Sequence, residues 1–196
     1  MTVRVQRMPD AGATATPLWQ TGAAMVTRAR ARLAQRLIAL AWHRSLATGA
    51  AVKPWPWAEI FPVARLEAPR QGAALMVLTG PEERTLAFGP GHIDGTPLPG
   101  DPGNAVVSGG RDSHFSFLRD LRSGDRLVVH SASRRVVHYV VSGIEVVRNK
   151  DVRVLLDTGD DRLTLVTRYP FNNATPGGPL RYVVVATRRD AVVTRV

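Results

Sequence analysis

The pattern of apolar positions divides the chain into a helical first part and a β-rich remainder. Between about Trp19 and Ala47, apolar side chains recur at spacings of three and four, as they do on one face of an α-helix. These positions are Met25, Val26, Ala29, Leu33, Leu37, Ile38, Ala41 and Trp42. Because Arg28, Arg32 and Arg36 line another side, the pattern predicts an amphipathic, basic helix.

The basic helix admits two interpretations. It packs on its own domain, or it lies on an anionic membrane surface, an environment that suits basic amphipathic helices. The polar, Ala/Thr-rich residues 1–18 that precede it show no periodicity, and we expect them to be disordered or a residual N-terminal segment. We expect residues 19–60 to form the helix and an arm, and residues 61–196 to form a domain of their own.

The arm contains the stretch AVKPWPWAEIFPV, in which prolines alternate with Trp55, Trp57 and Phe61. Proline removes a backbone donor and fixes an extended path, so the arm should run over the surface of the domain. We expect its aromatic side chains to clamp it in place. An aromatic platform for a ligand is the alternative.

From Phe61 onward, short runs of aliphatic and β-branched residues predict strands. The runs are FPVARLE, AALMVLT, NAVVSG, DRLVVHS, RVVHYVVSGIEVV, VRVLLD, RLTLVTR, RYVVVATR and AVVTRV. Two short helical segments, near PEERTLAFGP and SHFSFLRDL, interrupt the series. Many short strands at near-regular spacing are typical of a closed barrel or a sandwich.

The amino-acid composition excludes any chemistry that needs a thiol, and it bears on the choice of binding partner. The chain has 196 residues, a formal net charge of +10 and no cysteine. The missing thiols exclude disulfides, thiolate metal sites and a cysteine nucleophile. The positive charge would suit nucleic acid, but no run of five basic residues and no basic stripe with interleaved aromatics occurs. We therefore expect no nucleic-acid partner.

Three stretches, taken in order, carry a resemblance to a known family. They read FGPGHIDGTPLPGDPGNAVVSGGRDSHFSFLRDLRSGD, LTLVTRYPF and GGPLRYVVV. Together they resemble sortases, the cysteine transpeptidases that join proteins to cell surfaces, and most closely the class GN sortases of Gram-negative, proteobacterial species. The resemblance covers about Leu33 to Arg188. It implies a mostly β fold, a closed sortase-type barrel of about eight strands with short helices.

The resemblance also assigns three catalytic positions. The family motif Thr-Leu-Val-Thr is followed by a catalytic Cys, and here Arg168 stands at that place. A His usually lies between the Gly and the Arg of the first motif, where this chain has Gly110. The third catalytic group is an Arg at the start of the next strand, which matches Arg181.

Transpeptidation needs the thiol and the imidazole that are replaced in this chain. A thiolate attacks the peptide carbonyl to form a thioester, a His transfers the protons, and a cation stabilises the oxyanion. Arg168 cannot be a nucleophile, because a guanidinium stays protonated at any accessible pH. Gly110 has no proton to give. We therefore expect a protein without transpeptidase activity, with Arg181 as the retained group.

Other residues could replace the missing groups only if they were activated. The candidate bases and nucleophiles are His92, His114, His130, His138, Ser108 and Thr167. A hydroxyl without an activating base is a poor nucleophile. The triplet Leu98–Gly100 reads LPG and is similar to a fragment of a sorting signal, but we interpret it as a turn.

Three hypotheses on function stay open. The first is a sortase-fold protein without activity, with retention of peptide or anion binding left open. The second is a class GN sortase whose catalytic residues were altered by engineering or sequence error. The third is a membrane-surface or scaffold protein that uses the basic helix.

The resemblance implies a sorting-signal peptide of a surface protein as the partner, no cofactor and no metal. It also implies an inner-membrane location facing the periplasm. No stretch reaches the roughly 18 apolar residues of a membrane-spanning helix, and residues 1–18 supply no evident anchor, so a periplasmic or soluble protein is the alternative.

A candidate binding site follows from the two arginines. Arg168 and Arg181 should lie on neighbouring strands beside one groove, and Asp112 is the expected internal partner for their charge. If Asp112 turns away, the groove becomes a candidate site for a carboxylate or a phosphate. The alternative is that Arg168 simply extends into solvent.

Overall fold

The computed structural model describes residues 18–80, 82–156, 159–172 and 178–189. Residues 1–17 of the predicted N-terminal segment and the predicted strand AVVTRV at 191–196 lie outside the described residues.

A long helix precedes a set of short strands. Helix α1 spans Leu18–Thr48 and helix α2 spans Glu82–Phe88. The strands are β1 (Phe61–Ala68), β2 (Ala73–Thr79), β3 (Gly91–His92), β4 (Asn104–Ser108), β5 (Arg126–Ser131), β6 (Val136–Arg148), β7 (Arg162–Tyr169) and β8 (Leu180–Arg188). Short 3₁₀ turns occupy Pro69–Gln71, Ser116–Asp120 and Val152–Leu155.

The strands close into a barrel in the order β1-β2-β3-β4-β7-β8-β6-β5. The pairs β2–β3 and β4–β7 are parallel, and the others are antiparallel. The prediction of a mostly β, closed barrel of about eight strands with short helices is confirmed.

Alternation along the strands fills the barrel with aliphatic side chains. On β7, Leu163 and Leu165 are fully buried in the core, whereas Arg168 is exposed. Successive side chains of a strand point to opposite faces, so Val166 and Arg168 share the outer face of β7. The strand that builds the core therefore also presents residues to the outside at its end.

Helix α1 packs on the barrel through its C-terminal half. Ile38 and Trp42 are buried, and Ile38 joins Ile60 and Leu78 in a second apolar cluster. Leu33 and Leu40 on the other side of the helix remain 57% and 51% exposed. Among the described helices, none combines the length and apolar character that a membrane crossing requires.

Arg134 ties the end of α1 to the barrel. It lies in the β5–β6 turn with φ 61°, and its guanidinium donates hydrogen bonds to the carbonyl oxygen of Leu46, one of them 2.9 Å long. A cation at a helix C-terminus interacts favourably with the helix dipole and satisfies carbonyls that lack an intrahelical partner.

The Pro/Trp arm is clamped by one of its tryptophans. The rings of Trp55 and Phe88 meet edge to face, with centroids 5.3 Å apart. Trp57 is 79% exposed, so the expectation that it clamps the arm is wrong. Lys53 lies over the ring of Phe61, 5.9 Å from its centroid.

The run VRVLLD is not the strand that its apolar residues predict. Val152–Leu155 forms a 3₁₀ turn. The Asp151 carboxylate accepts from the backbone N–H of Arg153 at 3.1 Å and caps this turn. Local side-chain bonding of this kind competes with strand formation, which explains the error.

Candidate functional site

The ends of β4 and β7 are joined just where the glycine motif begins. The N–H of Gly109 donates to the carbonyl oxygen of Val166 at 3.1 Å. The hydroxyl of Thr167 donates to the carbonyl oxygen of Gly109 at 2.7 Å, and this bond is buried. Because β4 and β7 are parallel, these bonds place Gly110 and Arg168 at the same edge of the barrel.

Arg168 and Arg181 are directly opposed across the antiparallel pair β7–β8. The prediction that their strands are neighbours is confirmed. Directly opposed residues lie about 4.5–5.5 Å apart at Cα and project from the same face of the sheet. The two guanidinium groups therefore place two positive charges side by side, and these charges repel each other.

The two guanidinium groups differ in their surroundings. Arg168 is exposed, whereas Arg181 is half-buried and donates from Nη1 to the carbonyl oxygens of Gly178 and Leu180, both at 3.0 Å. Burial lowers the pKa of Arg181, the charge of Arg168 lowers it further, and Glu82 opposes this. No ion pair within the described part of the chain includes either arginine.

Asp112 does not pair with either of these arginines. Its carboxylate accepts from Nε of Arg111 at 3.1 Å, and its side chain is 71% exposed. The Arg111 side chain is only 9% exposed, and its Nη1 donates to the carbonyl oxygen of Pro170 at 2.9 Å. Arg111 thus braces the chain just after Arg168 and holds Asp112 at its own guanidinium.

Two glycines let the chain pass close to its neighbours. A Cβ atom on Gly109 would lie 2.5 Å from the ring of Phe115, so this position needs glycine. A Cβ atom on Gly110 would lie 2.5 Å from the hydroxyl oxygen of Ser113. That oxygen ends a short side chain that can rotate, so a side chain at Gly110 requires Ser113 to move.

Two neighbouring pockets flank the arginine pair. The first has a volume of about 190 Å³ and contains Arg181. Its lining is Glu82, Ile93, Val106, Ser108, Val147, Arg148, Asn149, Asp151, Leu155, Val166 and Arg181. The second has a volume of about 390 Å³ and is lined by Leu86, Gly109, Gly110, Arg111, Asp112, Ser113 and Arg168. The arginines therefore line two adjoining pockets.

The histidines considered as replacement bases are scattered. His114 lies next to the second pocket, with Nδ1 3.4 Å from the Ser113 hydroxyl, and burial lowers its pKa. His92 is buried against Thr96, and His130 approaches Glu67 at 3.5 Å. His138 is an exposed residue of β6.

Within the described residues, neither candidate hydroxyl nucleophile makes a hydrogen bond to a base. The Ser108 hydroxyl is buried and has no hydrogen-bond partner among the described residues. The Thr167 hydroxyl donates to Gly109. LPG at Leu98–Gly100 forms part of a turn in which the N–H of Asp101 bonds to the carbonyl oxygen of Leu98 at 2.9 Å. Within the described ranges no three His, Asp or Glu side chains come together as a metal site would require.

Sequence reasoning missed the acidic rim of the first pocket. Glu82 begins α2, and Asp151 caps the turn that replaces the predicted strand. Hydrogen bonds from Arg153 lower the pKa of Asp151 to about 2, so it is ionised at neutral pH. Each acid lies far along the chain from the arginines, so local sequence patterns could not connect them.

Comparisons with known proteins agree with this architecture. The profile of the sortase domain matches residues 66–189. Sortase D of Bacillus subtilis (strain 168) is 30% identical over 129 residues, which are 63% of this chain and 62% of that protein. The chain thus spans less than two thirds of that relative's length.

Solved structures show the same fold. Sortase A from Corynebacterium diphtheriae superposes with a TM-score of 0.62 at 27% identity, over 71% of this chain and 66% of the other. Sortase C-1 from Actinomyces oris superposes with a TM-score of 0.59 at 31% identity, over 66% and 75% of the two chains. With its domain profile matched over most of its length and its barrel shared with solved members, the chain belongs to the sortase family.

Proposed function

We propose that this protein binds a sorting-signal peptide on the outer face of β4, β7 and β8 without transpeptidating it. The observation that carries the proposal is the absence of any cysteine in the 196 residues, together with Arg168 at the end of β7. The resemblance to sortases assigns that position to the nucleophile.

The retained parts of the site suit binding better than chemistry. A sortase reaction needs a thiolate and a proton-transfer group, and neither Arg168 nor Gly110 supplies one. Ser108 and Thr167 touch no base among the described residues. Arg181 remains, and a guanidinium at this place binds and orients a carbonyl or a carboxylate.

The first pocket supplies the surface for a peptide. Val106, Val166 and Ile93 give it apolar walls. The buried hydroxyl of Ser108, which has no hydrogen-bond partner in the described part of the chain, lies in the same lining. It offers a hydrogen bond that would offset the cost of its burial. An extended peptide with apolar side chains fits such a groove.

The test is a cleavage and transpeptidation assay read by mass spectrometry. We expect intact peptide and no covalent protein adduct with the wild-type protein. Turnover above the uncatalysed background, lost in Arg181→Ala, would overturn the proposal.

A reconstituted variant tests the assignment of the catalytic positions. Because a Cβ at Gly110 meets Ser113, the variant combines Arg168→Cys, Gly110→His and Ser113→Ala. We expect it to form a thioester with the peptide, whereas a control with Arg168→Ala and the same two other changes forms none. Activity in the first protein alone would also fit the hypothesis of an altered class GN sortase.

We further propose class GN membership, and a location at the periplasmic face of the inner membrane in a Gram-negative cell. The support is the resemblance of the motif stretches and of the linker AWHRSLATGAAVKPWPW. Fractionation of the native host cell tests this, and recovery of the protein in the cytoplasm would contradict it.

A second function has a specific observation in its favour. On α1, Leu33 and Leu40 are exposed, and so are Arg32, Arg36 and Arg44. This face suits an anionic lipid surface, where leucines insert and arginines meet headgroups. Sedimentation with anionic vesicles, compared with neutral ones and with a Leu33→Ser/Leu40→Ser variant, tests it. Equal sedimentation in all cases would remove this function.

A further inference from the structure

The arginine pair carries an inference that deepens the proposed function and rests on it. We propose that the groove recognises peptides with a free C-terminal carboxylate, held between Arg168 and Arg181. The ligand is thus a peptide acid, the kind of product that hydrolysis of a peptide bond releases.

The register of β7 and β8 brings two cations together. Arg168 and Arg181 are directly opposed, and like charges opposite each other on a sheet destabilise it. An anion between them turns this repulsion into two attractions. Within the described residues only Nη1 of Arg181 bonds to backbone carbonyls, so the three N–H donors of Nε and Nη2 can reach a ligand.

In the part of the chain that the structure describes, the neighbouring carboxylates do not form an ion pair with Arg168 or Arg181. Asp112 pairs with Arg111 at 3.1 Å. Glu82 is exposed and makes no ion pair with either arginine within the described residues. Its charge raises the pKa of Arg181, but this effect is smaller than those of burial and of Arg168.

The charge of the two linings favours an anionic ligand. Their cations are Arg111, Arg148, Arg168 and Arg181, and their carboxylates are Glu82, Asp112 and Asp151. Asp112 pairs with Arg111, and Asp151 pairs with Arg153 outside the lining. Glu82 is therefore the one carboxylate of these linings that is left to offset the remaining cations. A carboxylate also fits the planar fork of a guanidinium.

The pocket shapes decide between the two sources of a carboxylate. The apolar pocket beside Arg181 accommodates the side chains that precede a terminus. The pocket beside Arg168 has a volume of about 390 Å³, which accommodates a terminal group next to the guanidinium. A peptide that ends at the arginine pair uses both pockets, whereas an acidic side chain would require the main chain to continue past them.

The test uses three peptide libraries, each N-terminally labelled, begun by Leu-Pro and randomised over apolar residues. One library ends in a free carboxylate, one in a carboxamide, and one in glutamate carboxamide. Fluorescence anisotropy with the full-length protein measures their affinities. We expect the acid library to bind about tenfold or more tightly than the other two, as removal of a charge-assisted hydrogen bond implies.

Matched variants locate the effect. Arg168→Ala and Arg181→Ala should each remove the preference for the acid, and Arg168→Lys should reduce it because lysine lacks the fork. Arg126→Ala is the control, since Arg126 is an exposed arginine on β5, away from both pockets. It changes the net charge equally and should keep the preference.

The outcomes separate the inference from the proposed function. Equal binding of the acid and the amide, both weakened by Val166→Asp, overturns the inference and leaves peptide binding in place. Binding of the glutamate amide as tight as that of the acid also overturns it. If no library binds, the proposed function fails and the inference fails with it.

Discussion

Replacement of Arg168 by glutamate should stabilise the folded protein. The change converts a like-charge pair opposite Arg181 into an ion pair in the same register. At about 6 Å, two unit charges interact by roughly 3 kcal/mol at an effective dielectric of 20 and by roughly 0.7 kcal/mol in bulk water. Arg168 is exposed, so we place the gain near the lower limit, at about 1 kcal/mol.

Thermal unfolding at low salt measures this gain. For a chain of this size, about 1 kcal/mol corresponds to a rise in Tm of about 2–4 °C. Arg168→Gln is the matched control, because it removes the repulsion without adding an attraction, and it should fall between the wild type and Arg168→Glu. In about 1 M salt the Debye length shrinks to roughly 3 Å, and the differences should largely vanish. If Arg168→Glu and Arg168→Gln unfold at the same temperature at low salt, the side chains at positions 168 and 181 do not interact electrostatically.

Three further changes test individual contacts. Arg134→Ala should lower the free energy of unfolding by about 1 kcal/mol, and hydrogen exchange should quicken at the end of α1, where Leu46 loses its partner; exchange spread evenly over the chain would contradict this. Thr167→Val should cost about 1–3 kcal/mol in urea unfolding, because the buried Gly109 carbonyl loses its donor; an unchanged midpoint would show that the bond is dispensable. Burial lowers the pKa of His114, so protonation favours the unfolded state. Stability should therefore fall as the pH drops below about 6.5, the fall should be smaller in His114→Gln, and equal pH profiles would refute the assignment.

All strands of the barrel except β3 could be predicted from the sequence, because each of them lies in a run of aliphatic and β-branched residues. RLTLVTR and RYVVVATR predict β7 and β8, and both strands form. The short strand β3 contains only Gly91 and His92, too few residues for any period. Its single pairing with Leu78 of β2 is a tertiary contact that no local pattern contains.

The sequence positions of the candidate site residues could be predicted because these residues lie in or next to strands with a clear apolar pattern. That β7 and β8 are neighbours could be expected, but their register could not, since a long connection does not fix pairing. The structure opposes Arg168 to Arg181 directly. Asp112 shows the limit of reasoning from adjacency, because the preceding residue, Arg111, binds its carboxylate.

The steric requirement for glycine at positions 109 and 110 also depends on the folded structure. The need for glycine at Gly109 comes from the ring of Phe115, and the obstacle at Gly110 comes from Ser113. The sequence shows that these residues are near each other in the chain. It does not show which of them would collide with a Cβ atom added at either glycine. Any design that restores a histidine at Gly110 depends on this geometry.

The most direct test of the central claim is an NMR titration of the isotope-labelled wild-type protein with the sorting-signal peptide library. The same sample is analysed afterwards by mass spectrometry. Peptide binding without transpeptidation predicts shifts concentrated at Val106, Val166 and Arg181, with the peptide recovered intact. Cleaved peptide or a covalent adduct would contradict the claim, and so would the absence of shifts on β4, β7 and β8.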